Sequence, residues 1–388
     1  MASSQPNKKT IILFISFQLL LMVAMFCAGL LGQRILFQQQ QEFPVFHVAY
    51  HLLKDNAIKP LPPAPKLEYG MIRGMLQAYD DPFTVFIEPP QNQLQTDQLQ
   101  GKFGGIGVRI DQDTQKNIIL LPAPDSPAAK AGVKEGDRVI KVDDLLVSSE
   151  TSIEVVEAAL HGPVGKPVNL TIIRPPGNEQ RTISVVRQEF AIPSVTWNMV
   201  PGAPETGVVK VMLIADTTPN EIENAFNDLK NHGARSFIFD LRDNSGGLVE
   251  AGINTARLFL KDGVVIQEQF KGKPVETSSV VKVGSLSDLP IIILVNRGTA
   301  SSAEIVAGAL QGNKRALVIG SPSYGKNSIQ LVFTLNDGSS IHVTSAYWWI
   351  PSLQSTIDGK GIQPDILLTE DEANGTIVVQ KAVDELKK

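Results

Sequence analysis

The stretch GTASSAEIVAGALQGNKRALVIGSPSYGKNSIQ, residues 298–330, decides how this chain is read. Gly298-Thr299-Ala300 is a small-residue turn leading into an expected helix, Ser301 to Leu310, with Ser301 at or near its first position. Gly312 and Asn313 form a turn, an apolar strand follows over Ala316–Ile319, and a Gly/Pro/Ser loop then delivers Lys326, 25 residues after Ser301. A serine at a helix start and a lysine on a glycine-flanked loop read as a Ser–Lys dyad. A serine hydroxyl is a weak nucleophile until a neighbouring base takes its proton. Lysine can be that base only when neutral, so its pKa must be lowered by desolvation or nearby positive charge. A helix start adds free backbone N–H groups and a positive dipole end, which suit a developing oxyanion. The plainer alternative has Ser301 and Ser302 capping a buried helix, with Lys326 a solvated loop residue.

These residues resemble the catalytic segment of the carboxyl-terminal processing proteases, the tail-specific serine proteases. In that family the nucleophile is a serine three residues before a glutamate, which corresponds to Ser301 before Glu304. The family's general-base lysine lies in a Gly-Lys-Gly loop and matches Lys326, and a glutamine that orients it matches Gln330. Ser302 stands where the family usually has alanine, Ala303 where it usually has serine, and Asn327 where it usually has glycine. Ser302 thus offers a second hydroxyl. In an extended strand, residues four apart share a face but lie about 13 Å apart; in a helical turn they are neighbours. Contact between Lys326 and Gln330 therefore implies a tight turn before the expected strand Ile329–Leu335.

At 388 residues the chain is long enough for two or three domains. Hydrophobic content of 43% and charge of 19% are ordinary for a globular protein. A net charge of −5 gives no reason to expect nucleic-acid binding. The single cysteine, Cys27, lies in an N-terminal apolar run, so no disulfide, cysteine metal site or thiol nucleophile is expected in the folded body. The five histidines show no ligand pattern, His47 and His51 included. Residues 11–31 are apolar apart from Ser16 and Gln18, long enough to cross a bilayer. Lys8 and Lys9 before the run and Arg34 after it favour a cytoplasmic N-terminus with the body translocated. A cleaved signal peptide is the competing reading, and either way the body is exported.

Helical patterning is expected over 43–58 and 67–79, separated by the connector KPLPPAPK, residues 59–66, where proline removes donors and restricts its neighbours. The run YGMIRGMLQAYDDPFTVFIEPPQ, residues 69–91, resembles the family's sequence before its PDZ domain. Asp80 and Asp81 read better as a helix end before a turn at Pro82 than as a catalytic pair. The leucines and aromatics of this region are available for oligomerisation, which some relatives use. Residues 101–188 read as short strands with two helical pieces, one near Thr151–Leu160, and the run Pro127 to Asp137 resembles a PDZ domain. The loop Phe103-Gly104-Gly105-Ile106-Gly107 looks like its carboxylate-binding loop. The resemblance implies that backbone N–H groups there converge on a terminal carboxylate while the peptide adds as a strand beside residues 107–110. The plain alternative is a tight glycine turn.

Alternating apolar strands and helices after residue 190 argue for an α/β layer. The run Asp240-Leu241-Arg242-Asp243-Asn244-Ser245-Gly246-Gly247 again resembles the family, and implies an oxyanion hole made by the N–H of Gly246 or Gly247 together with that of Ser302. Asp240 and Arg242 are expected to make structural pairs. Trp348 and Trp349 either line a substrate groove or split between core and surface across a strand. His342 and Asp365 raise a Ser-His-Asp alternative that no spacing supports, and residues 370–386 read as one amphipathic helix.

The fold class expected is multidomain α/β: an N-terminal membrane anchor or signal segment (1–36), a helical region (37–100), a PDZ domain (101–188) and a Ser–Lys protease core (189–388). The implied function is a serine endopeptidase that recognises free apolar C-termini of protein or peptide substrates and cleaves through an acyl-enzyme, with no cofactor. The membrane, and a homo-oligomer or regulatory partner, are the further associations expected. The rivals are a non-catalytic PDZ adaptor on a decayed protease body, and an esterase or transferase with the same acyl-enzyme chemistry.

Overall fold

A computed structural model of the chain describes residues 17–26, 43–177, 179–353 and 357–388. Residues 11–16 and 27–31 of the apolar run lie outside these residues; its described part, 17–26, is helical and exposed. Among the described residues no helix is long and apolar enough to cross a membrane. Cys27 lies outside them.

The chain divides into two compact units, Met1–Ile72 and Arg73–Lys388. In the first, the helix Pro44–Asn56 precedes a second helix, Ala64–Tyr79, which runs on into the second unit. The second helix starts inside the proline-rich connector, because Pro65 falls in the first turn, where a missing N–H costs no helical hydrogen bond. Neither helix has a buried residue.

The larger unit is built on a six-stranded sheet in the order Val195–Val200, Ala203–Val211, Ser236–Asp240, Ile291–Val295, Leu317–Gly320, Ile366–Leu367. The first pair is antiparallel and the remaining pairs are parallel. SFIFD and IIILV are nearly continuous apolar runs because both faces of a parallel sheet are covered. Phe237, Phe239, Ile291, Ile293 and Val295 face the helices Thr218–Asn231, Val249–Phe259 and Ser302–Gly312. Ile238, Ile292 and Leu294, one residue out of phase, face the helix Ile377–Leu386. The expected C-terminal helix is in fact two, Glu370–Asn374 and Ile377–Leu386, interrupted at Gly375. A five-stranded antiparallel sheet, with Ser340–Trp349 at its centre, joins Val85–Ile87, Val264–Phe270, Glu276–Ser279 and Ser328–Thr334. The helix Pro89–Leu99 was not expected from the sequence. PPQNQLQTDQL carries only two leucines, so it has no apolar stripe for a periodicity argument to find.

Residues 102–191 contribute a separate core. Its six-stranded sheet runs Val108–Gln112, Ile118–Pro122, Asp137–Val142, Pro167–Arg174, Glu179–Val186, with Leu145–Leu146 on the third strand. The helices Pro127–Ala131 and Ile153–Leu160 close it through Ala128, Val156 and Leu160. Val108–Gln112 is an edge strand of this sheet.

Candidate active site

Three neighbouring parallel strands end in loops that meet. DNSGG follows Ser236–Asp240, the serine turn follows Ile291–Val295, and the lysine loop follows Leu317–Gly320. The carboxyl ends of parallel strands are where α/β sheets gather functional groups. Side-chain and backbone hydrogen bonds lace the first two loops together. Asn296 Oδ1 accepts from the N–H groups of Asp243 (2.9 Å) and Gly298 (3.0 Å), Thr299 Oγ1 donates to Leu241 O (2.8 Å), and Ala300 N–H donates to Asn244 O (2.9 Å).

Ser301 sits immediately before the helix, at φ 56° and ψ −122°, a conformation L-residues rarely adopt. Glu304 stabilises it. Its Oε2 accepts from Ser301 N–H at 2.8 Å, while Ser301 O accepts from the N–H groups of Glu304 and Ile305. Glu304 is fully buried, and its carboxylate takes three further donors from the lysine loop: Ser323 Oγ (2.5 Å), Gly325 N–H (2.7 Å) and Lys326 N–H (3.0 Å). Burial pushes this carboxyl above its ordinary range, and the four donors pull the other way. One side chain therefore joins the serine turn to the lysine loop. Sequence reasoning used Glu304 only to locate the nucleophile.

Lys326 is partly buried. Burial pushes its ammonium below the ordinary lysine range, against the opposing pull of Asp81 and Glu304. Nζ donates to Gln330 Oε1 at 2.9 Å and stands 5.0 Å from the centre of the Phe83 ring. No helical turn makes this contact. The strand begins at Ser328, with Gln330 inside it, and the two long side chains meet beside an irregularity in the ladder between Ile329 and Gln330. The left-handed residue of the loop is Gly325 (φ 94°) rather than Asn327, so the departure from glycine at 327 costs no backbone strain.

Ser302 does not compete for the cleft. It is fully buried, its Cβ would lie 3.0 Å from a Cβ on Gly252, and its Oγ has no partner among the described residues. Its backbone N–H, at the first helical position, also has none. Of the two candidate glycines, Gly246 has its N–H committed to Asn244 Oδ1 at 2.9 Å. The Gly247 N–H has no partner among the described residues. Both glycines are required sterically. A Cβ on Gly246 (φ 100°) would lie 2.8 Å from Ser301 Cβ, and one on Gly247 (φ 149°) would lie 2.1 Å from Ile214 O.

Ser301, Lys326, Gln330, Gly246 and Gly247 line one cleft of about 460 Å³. Leu213, Leu248, Ile329 and Val332 supply apolar walls, His342 one polar corner, and Gln95, Gln98 and Leu99 come from the helix Pro89–Leu99. No His342–Asp365 pair forms among the described residues. His342 Nε2 meets Ser340 Oγ at 3.1 Å, whereas Asp365 Oδ2 accepts from Val318 N–H at 2.8 Å. Asp240 pairs with Arg242, whose guanidinium also donates to the carbonyls of Ala373 and Gly375. Trp348 is buried and Trp349 bonds Gln267, and neither lines the cleft. Asp81 accepts from Phe83 N–H and Thr84 Oγ1 in the turn after the helix.

The loop Phe103–Gly107 lies apart from this cleft. Phe103 pairs with Phe190, and Gly104 with Glu189, in a two-stranded ladder. The carbonyls of Gly104, Ile106 and Gly107 accept from Gly162, Ala128 and Ala123. The N–H groups of Ile106 and Gly107 have no partner among the described residues.

The fold is that of a multidomain α/β protein carrying a PDZ domain, whose family signature matches residues 118–174. The signature of Peptidase family S41 matches residues 205–368. A carboxy-terminal-processing protease of Bartonella bacilliformis is 32% identical over 315 residues, 80% of this chain and 71% of that protein. A carboxy-terminal processing protease of Bacillus subtilis is 31% identical over 340 residues, 87% and 72% of the two chains. A solved structure of a photosystem II D1 C-terminal processing protease is 31% identical, covers 88% of this chain and 90% of its own, and superposes with a TM-score of 0.48. The chain belongs to the carboxyl-terminal processing proteases, peptidase family S41, and is a serine-type peptidase with a PDZ domain.

Proposed function

We propose that this peptidase cleaves peptide bonds with a Ser301–Lys326 dyad after its PDZ domain has bound the substrate's C-terminal tail. The observation that carries the reading is the convergence of Ser301 and a partly buried, pKa-depressed Lys326 on one cleft, both held by Glu304. Ser301 Oγ attacks the carbonyl carbon and its proton passes to neutral Lys326 Nζ, which Gln330 orients. The N–H groups of Gly247 and Ser302 hold the oxyanion, while Gly246 keeps the turn against Ser301. Collapse of the tetrahedral intermediate expels the amine, which takes the proton back from Nζ. Water then attacks the acyl-enzyme with Lys326 again as base, releasing Ser301.

The two unpartnered N–H groups at Ile106 and Gly107 support carboxylate capture by the Phe103–Gly107 loop, and the exposed edge of Val108–Gln112 supports strand addition by the tail. We divide the chain into segment 1–36, a helical region 37–100, the PDZ domain 101–188 and the protease core 189–388. The apolar run within the first segment anchors the protein to the membrane, with the body outside the cytoplasm.

The test is cleavage of an unfolded reporter with an apolar C-terminal tail. Ser301→Ala and Lys326→Ala lose activity by about 10³-fold or more, whereas Ser302→Ala retains it. Equal cleavage by all the variants removes the dyad. Tail binding without cleavage by the unmutated protein supports the adaptor reading instead.

A further inference from the structure

His342 is a titratable side chain in the cleft that the proposed chemistry leaves unused. It lies on the strand Ser340–Trp349, directly opposite Val332, another cleft residue. Its hydrogen-bond chain fixes its tautomer. Asn92 Nδ2 lies 3.0 Å from Gly338 O, and a carbonyl can only accept, so the amide group of Asn92 points there. Asn92 Oδ1 must then accept, and Ser340 Oγ donates its single proton to it at 2.8 Å. Ser340 Oγ is left as an acceptor, so His342 Nε2, 3.1 Å away, carries the imidazole proton. Nδ1 is then a lone-pair acceptor, and it has no partner among the described residues. Burial, and then the charge of Lys326, push the imidazole pKa below its ordinary value, which keeps the ring neutral and the lone pair free near neutral pH.

We propose that His342 is a specificity-determining residue, whose Nδ1 accepts a hydrogen bond from a neutral hydroxyl or carboxamide side chain of the peptide lying in the cleft. The inference rests on the assignment of this cleft to peptide hydrolysis. The remaining lining selects the class of donor. Among the described residues the cleft wall carries no Asp or Glu, and its one formally cationic side chain is Lys326. A lysine or arginine of the substrate finds no counter-charge, and a carboxylate has no proton to donate. An apolar side chain covers Nδ1 without satisfying it, and such sites reject analogues that lack the bonding group. Serine, threonine, asparagine and glutamine combine a donor with a body that suits Leu213, Leu248 and Val332.

The experiment uses the full chain and tailed peptides varied at one position at a time around the scissile bond, in near-isosteric pairs: Ser/Ala, Thr/Val and Asn/Leu. At one position the unmutated protein favours the donor member by about tenfold in kcat/KM. In His342→Leu that ratio falls towards one. His342→Asn, whose Oδ1 replaces Nδ1, retains part of it. Ser340→Ala frees Nε2 and lowers it. These last two variants carry the test if His342→Leu does not fold. A ratio unchanged in His342→Leu and Ser340→Ala, or no donor preference at any position, overturns the proposal while leaving the dyad standing. If the unmutated protein cleaves no peptide, the dyad assignment fails instead. The same library, read as peptide binding to Ser301→Ala by fluorescence anisotropy, then decides the role of His342 on its own.

Discussion

Lysine is an unusual base because its charged form is so stable in water. At position 326 burial opposes that stability, while Asp81 and Glu304 favour the ammonium. In the proposed dyad the neutral amine is the active form. Lowering the pKa therefore makes it available below the ordinary lysine value of about 10.4. Activity rises with pH through the depressed pKa and then levels off. Asp81→Asn removes the larger of the two attractions, so the rising limb of kcat/KM moves to lower pH. A pH–rate profile measures this, and a limb that stays in place or moves upward contradicts it. The two residues proposed as the dyad stood out in the sequence because the proposed chemistry demands particular residue types. The choice of Ser301 over Ser302 rested on the resemblance, which places the nucleophile three residues before Glu304. The packing of Ser302 against Gly252, with Ser301 lining the cleft, supports that choice.

Between elements, Glu304 has the widest role. Its partners lie 3 residues away at Ser301, and 19 to 22 residues away at Ser323, Gly325 and Lys326. A carboxylate is well suited to this, since it offers two acceptor oxygens and no donor. In Glu304→Gln the amide nitrogen faces N–H or O–H donors, and each buried group left unpaired costs about 1–3 kcal/mol. Glu304→Gln is expected to lower the Tm by several degrees and to reduce kcat more than tenfold with a smaller change in KM. Thermal unfolding and steady-state kinetics on the same sample test it; a native Tm with native kcat rules the tether out. Helix and strand positions around the site were largely readable from apolar runs and caps. The helix Pro89–Leu99 was not, because it lacks an apolar stripe, yet it contributes Gln95, Gln98 and Leu99 to the cleft. The ladder irregularity that accompanies the Lys326–Gln330 contact was equally hidden, since it arises from pairing with Ser340–Trp349.

For the whole molecule, tail capture and bond cleavage are assigned to separate cores. Under the proposed function, a C-terminal carboxylate held by the Phe103–Gly107 loop would make the later encounter with the cleft intramolecular and so raise its effective concentration. Converting the substrate's C-terminal carboxylate to an amide is expected to reduce kcat/KM about tenfold or more. An internal site on a long tailless peptide is expected to be cut at the slower rate regardless of amidation. Cleavage time courses on amide and acid forms of one peptide measure this, and identical rates remove the tail-recognition role. The alternation of buried strands and helices announced the α/β core, and the Pro127–Asp137 run announced the small β domain. The antiparallel sheet around Ser340–Trp349 escaped, because its strands come from segments as far apart as residues 85 and 349.

By itself the sequence determined the residue types and the local backbone: a serine at a helix start, a lysine after a left-handed glycine, a Gly-Gly turn after a buried strand. Those features depend on neighbours within a few positions, so they can be read in order along the chain. Tertiary structure decided how Asn244 is held: its Nδ2 donates to Val211 O, which leaves Oδ1 to accept from Gly246 N–H, while Gly247 N–H has no partner among the described residues. It also decided that Glu304 joins two loops and that His342 looks into the cleft. The Asn244–Val211, Glu304–Lys326 and His342–Val332 pairings join segments distant in sequence, set by strand order and register, on which local propensity has no bearing.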